Sequence, residues 1–381
     1  MKQTVKWLSS IESVLIAKTV DKEVGRHKVA AFDLDATLIS TKTGRVHSKD
    51  ENDWQWWHSS VPSQIKKLHD DGYKIVVFSN QNGLNSPTRI QSFKRKVEAI
   101  LSQLSMPVWL LAAMNKDQYR KPMVAMWNWL EKQANDGVKI EQSFYVGDAA
   151  GRADNWKPRQ KRDHSCTDRK FADNIGIGFY TPEEFFLKEP KAAFSWGGFI
   201  PSESTQNEML FTPSSSPLVL KDEPEVIVFV GYPASGKSTF AEKYLIPHGY
   251  VYVNQDTLKT RNKCIAACKD ALAKHQSVVI DNTNPEIATR ASYIQVARDA
   301  GAKVRCFYFT ADEHLARHNN YYRAIQKPHE NRELLSDIAF RTFKSRLQIP
   351  TEAEGFDEVK KINFIFEGSE EEQRTWKQWW L

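Results

Sequence analysis

Two spacings of apolar residues alternate along the chain. Short, nearly unbroken apolar runs occur in VAAFDLDATLI, YKIVVFSN and SFYVGDAAG, and each gives way to polar residues at its C-terminal end. Such runs predict buried strands. Between them, SPTRIQSFKRKVEAILSQL and KPMVAMWNWLEKQAN carry apolar residues at helical spacing and predict amphipathic helices. Strands alternating with helices predict a parallel sheet covered on both faces. The pattern breaks in PSESTQNEMLFTPSSSPLVLKDEP, rich in Ser and Pro, which reads as a linker or surface-packed connection over residues 191–224. It then restarts with VIVFVG, a helix from Lys237, VVIDNTN, a helix from about Pro285, and VRCFYFT. The expected fold is therefore α/β in two tandem domains, residues 1–190 and 225–381, each a parallel sheet with helices on both faces. No repeat relates the two halves.

Length and composition agree with this division. The chain has 381 residues, 41% of them hydrophobic and 26% charged, as in ordinary folded soluble proteins. Lys and Arg exceed Asp and Glu by 53 to 47, a formal +6, which permits an acidic partner without specifying one. Four cysteines without a CxxC pair fit free thiols in a reducing compartment. The N-terminus lacks the unbroken apolar core of a secretory signal, and no stretch is apolar enough to span a bilayer, so no membrane partner and an intracellular location are expected. The run Lys157-Pro158-Arg159-Gln160-Lys161-Arg162 has the composition of a nuclear import signal and equally of a solvated loop.

Candidate chemistry lies at the strand ends, where open α/β sheets place their ligands. In Phe32-Asp33-Leu34-Asp35-Ala36-Thr37, side chains two apart leave a strand on one face, so Asp33 and Asp35 can meet one phosphate. Two carboxylates so close repel one another and call for a divalent cation. One carboxylate can attack phosphorus while the other protonates the leaving alcohol and then activates water; an Asp-rich turn is the plain alternative. Ser79, in Phe78-Ser79-Asn80-Gln81, offers a hydroxyl to phosphate oxygens. Lys121 opens the next helix and can neutralise phosphate charge, and Asp148, after Gly147, supplies a further carboxylate for the metal. Asp163 and Asp168 are loop acids that either support this site or are simply solvated.

The second half holds Gly231-Tyr232-Pro233-Ala234-Ser235-Gly236-Lys237-Ser238-Thr239 between a strand and a helix. This matches G-x-x-x-x-G-K-[ST] in full and predicts an ATP-phosphate cradle. Backbone N–H groups from Gly231 through Ala234, Ser235 and Gly236 to Thr239 turn inward, Lys237 reaches the outer phosphates, and Ser238 meets magnesium. Asp256, at the end of Tyr252-Val253-Asn254-Gln255-Asp256, is placed to accept the proton of an attacking hydroxyl. Asp281 either orients magnesium or substrate or caps the next helix. Arg290, Arg317 and Arg323 lie on later helices from which a lid can reach the phosphoryl group, with Arg290 the favoured contact and His318-Asn319-Asn320 a polar helix face.

The order Asp-x-Asp, Ser, Lys, Gly-Asp resembles the haloacid dehalogenase superfamily of phosphatases. The resemblance implies that Asp33 is the nucleophile and Asp35 the general acid/base. It further implies that Ser79 and Lys121 hold phosphate, and that Asp33 and Asp148, with the Asp35 carbonyl, bind Mg²⁺. Ala36 stands where that superfamily usually has Gly. With the loop following it, the chain is similar to the polynucleotide kinase 3′-phosphatase family over about Lys28 to Phe366, in blocks such as FDLDATLI, VFSNQNG, YVGDAAGRADNW, GYPASGKSTF, VVIDNTNP and PTEAEGF. That likeness implies nuclear repair of DNA breaks. It further implies hydrolysis of a 3′-phosphate through Asp33 and phosphorylation of a 5′-hydroxyl from ATP with Asp256 as base. Animal members carry a phosphopeptide-binding forkhead-associated domain ahead of the phosphatase. Too few residues precede Lys28 here to build one, which leaves repair-scaffold partners open. A monomer is expected. The cluster Trp54-Trp56-Trp57 is the expected platform for unpaired bases, with at least one of Trp127 and Trp129 in the core. The residues alone leave open a small-metabolite phosphatase fused to a small-molecule kinase. They also leave open a silent DNA-break scaffold, against which the intact Asp33, Asp35, Lys237, Ser238 and Asp256 argue.

Overall fold

The computed structural model describes residues 4–19, 24–204, 209–220, 223–326 and 333–381. The chain divides into two units, Met1–Ile200 with Gln378–Leu381, and Pro201–Lys377.

In the first unit, β1 (Lys6–Leu8), β2 (Val14–Lys18), β3 (Lys28–Phe32), β6 (Tyr73–Asn80), β7 (Val108–Ala113), β8 (Gln142–Val146) and β9 (Gly178–Tyr180) form one sheet. Its order is β1-β2-β7-β6-β3-β8-β9, and β4 (Ile39–Ser40) and β5 (Gln55–Trp56) make a separate ribbon. Strands β7, β6, β3, β8 and β9 are parallel, and β1 and β2 add an antiparallel edge. The two-residue period of a strand divides the core. Ala30 and Phe32 of β3 and Ile75 and Val77 of β6 face one hydrophobic cluster, Val29, Ala31, Val76 and Phe78 the other. The helix Pro87–Leu101 covers the first face with Phe93, Val97 and Ile100, its start fixed by Pro87 and by the Ser86 hydroxyl accepting from Arg89 N. The helices Ala125–Gln133 and Thr167–Ile175 cover the second.

Parallel pairing brings the strand ends together. Phe32 is in register with Val77 of β6 and with Val146 of β8, so Asp33, Ser79 and Asp148 follow from neighbouring strands at the same edge.

The second unit repeats the principle with β10 (Phe211–Thr212), β11 (Glu225–Val230), β12 (Val251–Val253), β13 (Val278–Ile280), β14 (Lys303–Phe309) and β15 (Glu358–Ile362), ordered β10-β15-β14-β11-β13-β12. All pairs are parallel except β10 with β15. Val226, Val228 and Val230 face one core cluster, Ile227 and Phe229 the other.

The segment expected as a linker or surface-packed connection is divided between the two units. Residues up to Ile200 belong to the first unit, and from Pro201 the segment is built into the second. Phe211 and Thr212 pair with β15. Pro217 O and Leu218 O accept from Arg305, and Pro213 O and Ser216 O accept from the buried ammonium of Lys360. A Ser- and Pro-rich composition gives irregular backbone, yet here carbonyls of its residues 213–218 satisfy buried cations. Residues 205–208 and 221–222 of it lie outside the described residues. All four cysteines are free and buried. Among the described residues, no helix is long and apolar enough to cross a membrane.

Candidate active sites

At the first site, Asp33 is 8% exposed and Lys121 2%. The Lys121 ammonium lies within hydrogen-bond distance of four oxygens: Asp33 Oδ1 and Asp168 Oδ1, both at 2.7 Å, Tyr145 Oη at 2.7 Å and Phe78 O at 2.9 Å. Asp168 also accepts from Ala149 N. Asp148 joins Asp33 and Asp168, with one carboxylate oxygen from each lying within 4.8 Å of the others. Gly147 is required there, because a Cβ would stand 2.4 Å from Asp168 Oδ2. Three carboxylates thus share one ammonium. Burial, and then the neighbouring acids against the pull of Lys121, push Asp33 up to about 7. Asp148 is pushed well above the usual carboxylate range by burial and by Asp168. A cluster short of positive charge in this way fits a divalent cation.

Asp35 lies apart from that cluster. Its carboxylate accepts from Gln81 Nε2 at 2.6 Å and from Lys96 Nζ at 3.2 Å, and Gln81 also donates to Ser79 Oγ. Two carboxylates two residues apart therefore have different surroundings: Asp33 is buried against Lys121, and Asp35 is half-exposed beside an amide and a second lysine. Directly after Asp35 the chain turns at Ala36, whose φ is +56°. This left-handed conformation explains why glycine is usual there and costs an L-residue about 1–2 kcal/mol. Glycine loses about 0.5–1 kcal/mol more conformational freedom on folding. Ala36→Gly is thus expected to raise stability by roughly 0.5–1 kcal/mol, read as a higher denaturant midpoint. A lower midpoint would show that the methyl group contributes packing.

At the second site, the loop after β11 leads directly into the helix Lys237–Tyr244. Gly236 has φ +95° and Ala234 +60°, the reversals that turn successive N–H groups inward. A Cβ on Gly231 would stand 2.8 Å from that of Phe309. Lys237 is folded over the loop, donating to Tyr232 O at 2.6 Å and Gly231 O at 3.1 Å. Burial lowers its ammonium to about 8, against the opposing pull of Asp281. Ser238 Oγ and Tyr252 Oη each donate to Asp281 Oδ2 at 2.6 Å. A hydroxyl facing a buried carboxylate at the helix start fits a magnesium-phosphate pair. A cavity opens beside the loop, lined by Ser235, Gly236 and Thr239 on one side and by Arg323, Phe364 and Phe366 on another.

Residues 28–186 match the family model described as polynucleotide kinase 3 phosphatase, and residues 226–265 and 259–350 match one described as an AAA domain. The chain is 44% identical over 382 residues to the bifunctional polynucleotide phosphatase/kinase of Schizosaccharomyces pombe, spanning 100% of this chain and 89% of that protein. It belongs to the bifunctional polynucleotide phosphatase/kinase family. A relative of that description in Acanthamoeba polyphaga mimivirus is 34% identical over 92% of this chain and 88% of its own. The polynucleotide 3′-phosphatase of Saccharomyces cerevisiae is 27% identical over 44% of this chain and 91% of its own length.

In this phosphatase/kinase the structure brings Asp33, Ser79, Lys121 and Asp148 to one sheet edge, and the loop residues Gly231 to Thr239 to another. Several expectations shift. Lys121 does not open a helix: it precedes the helix Ala125–Gln133, its N–H donating to Asn80 Oδ1 and its carbonyl accepting from Asn80 Nδ2. Asp168, weighed equally with Asp163 from sequence, sits inside the carboxylate cluster, whereas Asp163 pairs with Arg152. Arg290 is corrected: it is fully buried, held by Glu354 through two 2.7 Å bonds and by the carbonyls of Asn284 and Pro285. Arg323 lines the cavity instead. His318, Asn319 and Asn320 are buried; His318 meets Trp376 O, and Asn319 accepts from Trp376 Nε1 and approaches Ala234 O. Trp54 is core, and Trp56 and Trp57 are partly buried against that core.

Sequence reasoning missed Lys96 and Tyr145. Lys96 falls on the apolar stripe Phe93, Val97, Ile100 of its helix, and a lysine at such a position signals a buried partner. Asp168 carried the same signal, spaced with Phe171 and Ala172.

Proposed function

We propose that this phosphatase/kinase prepares DNA ends by two independent magnesium-assisted phosphoryl transfers. In the first, Asp33 attacks the phosphorus of a 3′-phosphate and Asp35 gives its proton to the departing 3′-oxygen, leaving an aspartyl-phosphate. Asp35 then takes a proton from water as the water attacks phosphorus, restoring Asp33 and releasing inorganic phosphate. Ser79 and Lys121 hold the phosphate oxygens, and Gln81 and Lys96 keep Asp35 aimed. Asp33, Asp148 and Asp168, with the Asp35 carbonyl, would hold Mg²⁺, which supplies positive charge to the phosphate oxygens and relieves the repulsion among these acids. The observation that carries this reading is the contrast between buried Asp33 on Lys121 and half-exposed Asp35 on Gln81 and Lys96.

In the second transfer, Asp256 accepts the proton of a 5′-hydroxyl as its oxygen attacks the γ-phosphorus of ATP and ADP leaves. The loop N–H groups and Lys237 take up the developing charge, and Ser238 with Asp281 would hold magnesium. Asp256 is exposed on the short helix Gln255–Leu258 that follows β12, its N–H fixed by Asn254 Oδ1, which supports access to a polynucleotide end. Asp256→Asn is expected to slow phosphorylation by about 10²–10⁴-fold with ATP binding retained in an equilibrium titration. Unchanged turnover would remove Asp256 from the role of base.

The deciding assay incubates the protein with magnesium, ATP and an oligonucleotide bearing 5′-hydroxyl and 3′-phosphate, and scores both ends. Parallel DNA and RNA strands test the DNA preference; equal rates would overturn it. Action as a monomer belongs to this reading and is checked by sedimentation. Exposed Lys157, Arg159, Lys161 and Arg162 support nuclear import, to be tested by imaging a tagged protein with this run replaced.

A further inference from the structure

We infer that Asn174 and Trp379 are positioning residues of the phosphatase reaction, acting through the Lys121–Pro122 backbone. The helix Thr167–Ile175 grips that dipeptide from both of its ends. Near its start, Asp168 Oδ1 takes the Lys121 ammonium at 2.7 Å. Near its finish, Asn174 Nδ2 donates to Pro122 O at 2.8 Å. Asn80 completes the frame by bonding both Lys121 N and Lys121 O. Lys121 must keep its ammonium between Asp33 and Asp168 while phosphate enters, and ångström errors in such placements are costly in rate. The helix therefore has to be held in register, and Asn174 is where that register is transmitted.

Asn174 is itself held. Residues 378–381 belong to the phosphatase unit although they follow the kinase unit in sequence. Trp379 N donates to Asn174 Oδ1 at 2.8 Å, and Asn174 Nδ2 donates back to Trp379 O at 2.9 Å. This reciprocal pair fixes the amide, so its N–H₂ reaches Pro122 O in one orientation. Trp379 is 5% exposed. Its indole N–H donates to Asp173 Oδ2 at 2.6 Å, its ring stacks on Trp196 at 5.1 Å, and Lys170 Nζ lies 4.5 Å over it. A side chain so enclosed anchors the Trp379 backbone, whose N–H and carbonyl bond the Asn174 carboxamide.

The test rests on the phosphatase reading of the carboxylate cluster, and the wild-type protein is its control. If wild type removes no 3′-phosphate, that reading fails first. If wild type is active, Asn174→Ala and Trp379→Ala are each expected to lower phosphatase kcat about tenfold with KM within about twofold. Kinase turnover in the same preparations stays at the wild-type value. The double variant should lose no more than either single one, because both act along one path. Trp379→Phe, which keeps a ring against Trp196 and Lys170 to hold the backbone in place, should retain most activity. Amide hydrogen exchange over residues 119–126 should rise in both Ala variants, a readout independent of turnover. Should Trp379→Ala fail to fold, Asn174→Ala alone decides. Unchanged kcat and exchange in a folded variant, or parallel loss of both activities, overturns the inference.

Discussion

Asp33→Asn is expected to abolish 3′-phosphate removal, by on the order of 10⁴-fold or more, while 5′-phosphorylation of the same oligonucleotide proceeds at the wild-type rate. The amide has the shape of the carboxyl but no nucleophilic oxygen anion, so no aspartyl-phosphate can form. The fold is expected to survive, because Lys121 keeps its bonds to Asp168, Tyr145 Oη and Phe78 O. Burial and the neighbouring acids already hold Asp33 up at about 7, so removing its charge relieves the cluster, and the melting temperature should not fall. Two measurements check this: end-labelled substrate resolved by gel for the two activities, and acid-quenched protein probed for covalent phosphate. Retention of covalent phosphate at wild-type level in Asp33→Asn would move the nucleophile to another residue. Loss of the kinase in a variant with an unchanged melting temperature would deny that the two sites are independent.

How far could the chain be read before its fold was known? The strands that carry chemistry were legible because they are both apolar and punctuated by polar ends. YKIVVFSN coincides with β6 and VVIDNTN contains β13, while β3, β8 and β11 each begin one residue before the run assigned to them. Strands without a polar ending were not seen. VWLLAA, which forms β7, and the antiparallel β1 and β2 bear no motif, and β2 and β7 meet across a long stretch of sequence: Val14 pairs with Ala113. The same distance hides side-chain partners. Arg290 resembles any arginine on an amphipathic helix until Glu354 is placed beside it, 64 residues away. Asn174 is a polar residue near a helix end until residues 378–381 return to it. Site residues on strand ends were therefore open to inference from pattern, whereas those supplied by helices across the site, Lys96 and Asp168, needed the weaker clue of a charge on an apolar stripe.

The kinase half makes the complementary prediction. Lys237→Met is expected to lower 5′-phosphorylation by about 10²–10³-fold and leave 3′-phosphate removal intact. The methionine keeps an unbranched stem in the buried slot but cannot supply positive charge to the outer phosphates. In the present structure the ammonium rests on the carbonyls of Gly231 and Tyr232, and burial draws it down to about 8. A buried cation leaning on its own loop is costly to the resting protein and becomes favourable when phosphate charge arrives. Two results should therefore appear together. Without nucleotide, Lys237→Met should melt no lower than wild type, because an awkward buried charge has been removed. With ATP and magnesium, the rise in melting temperature that binding confers on wild type should shrink markedly. A variant that melts lower without nucleotide yet keeps the full ATP-induced rise would show Lys237 to be a structural strut of the loop, and the phosphate-binding role would have to pass to the backbone N–H groups alone.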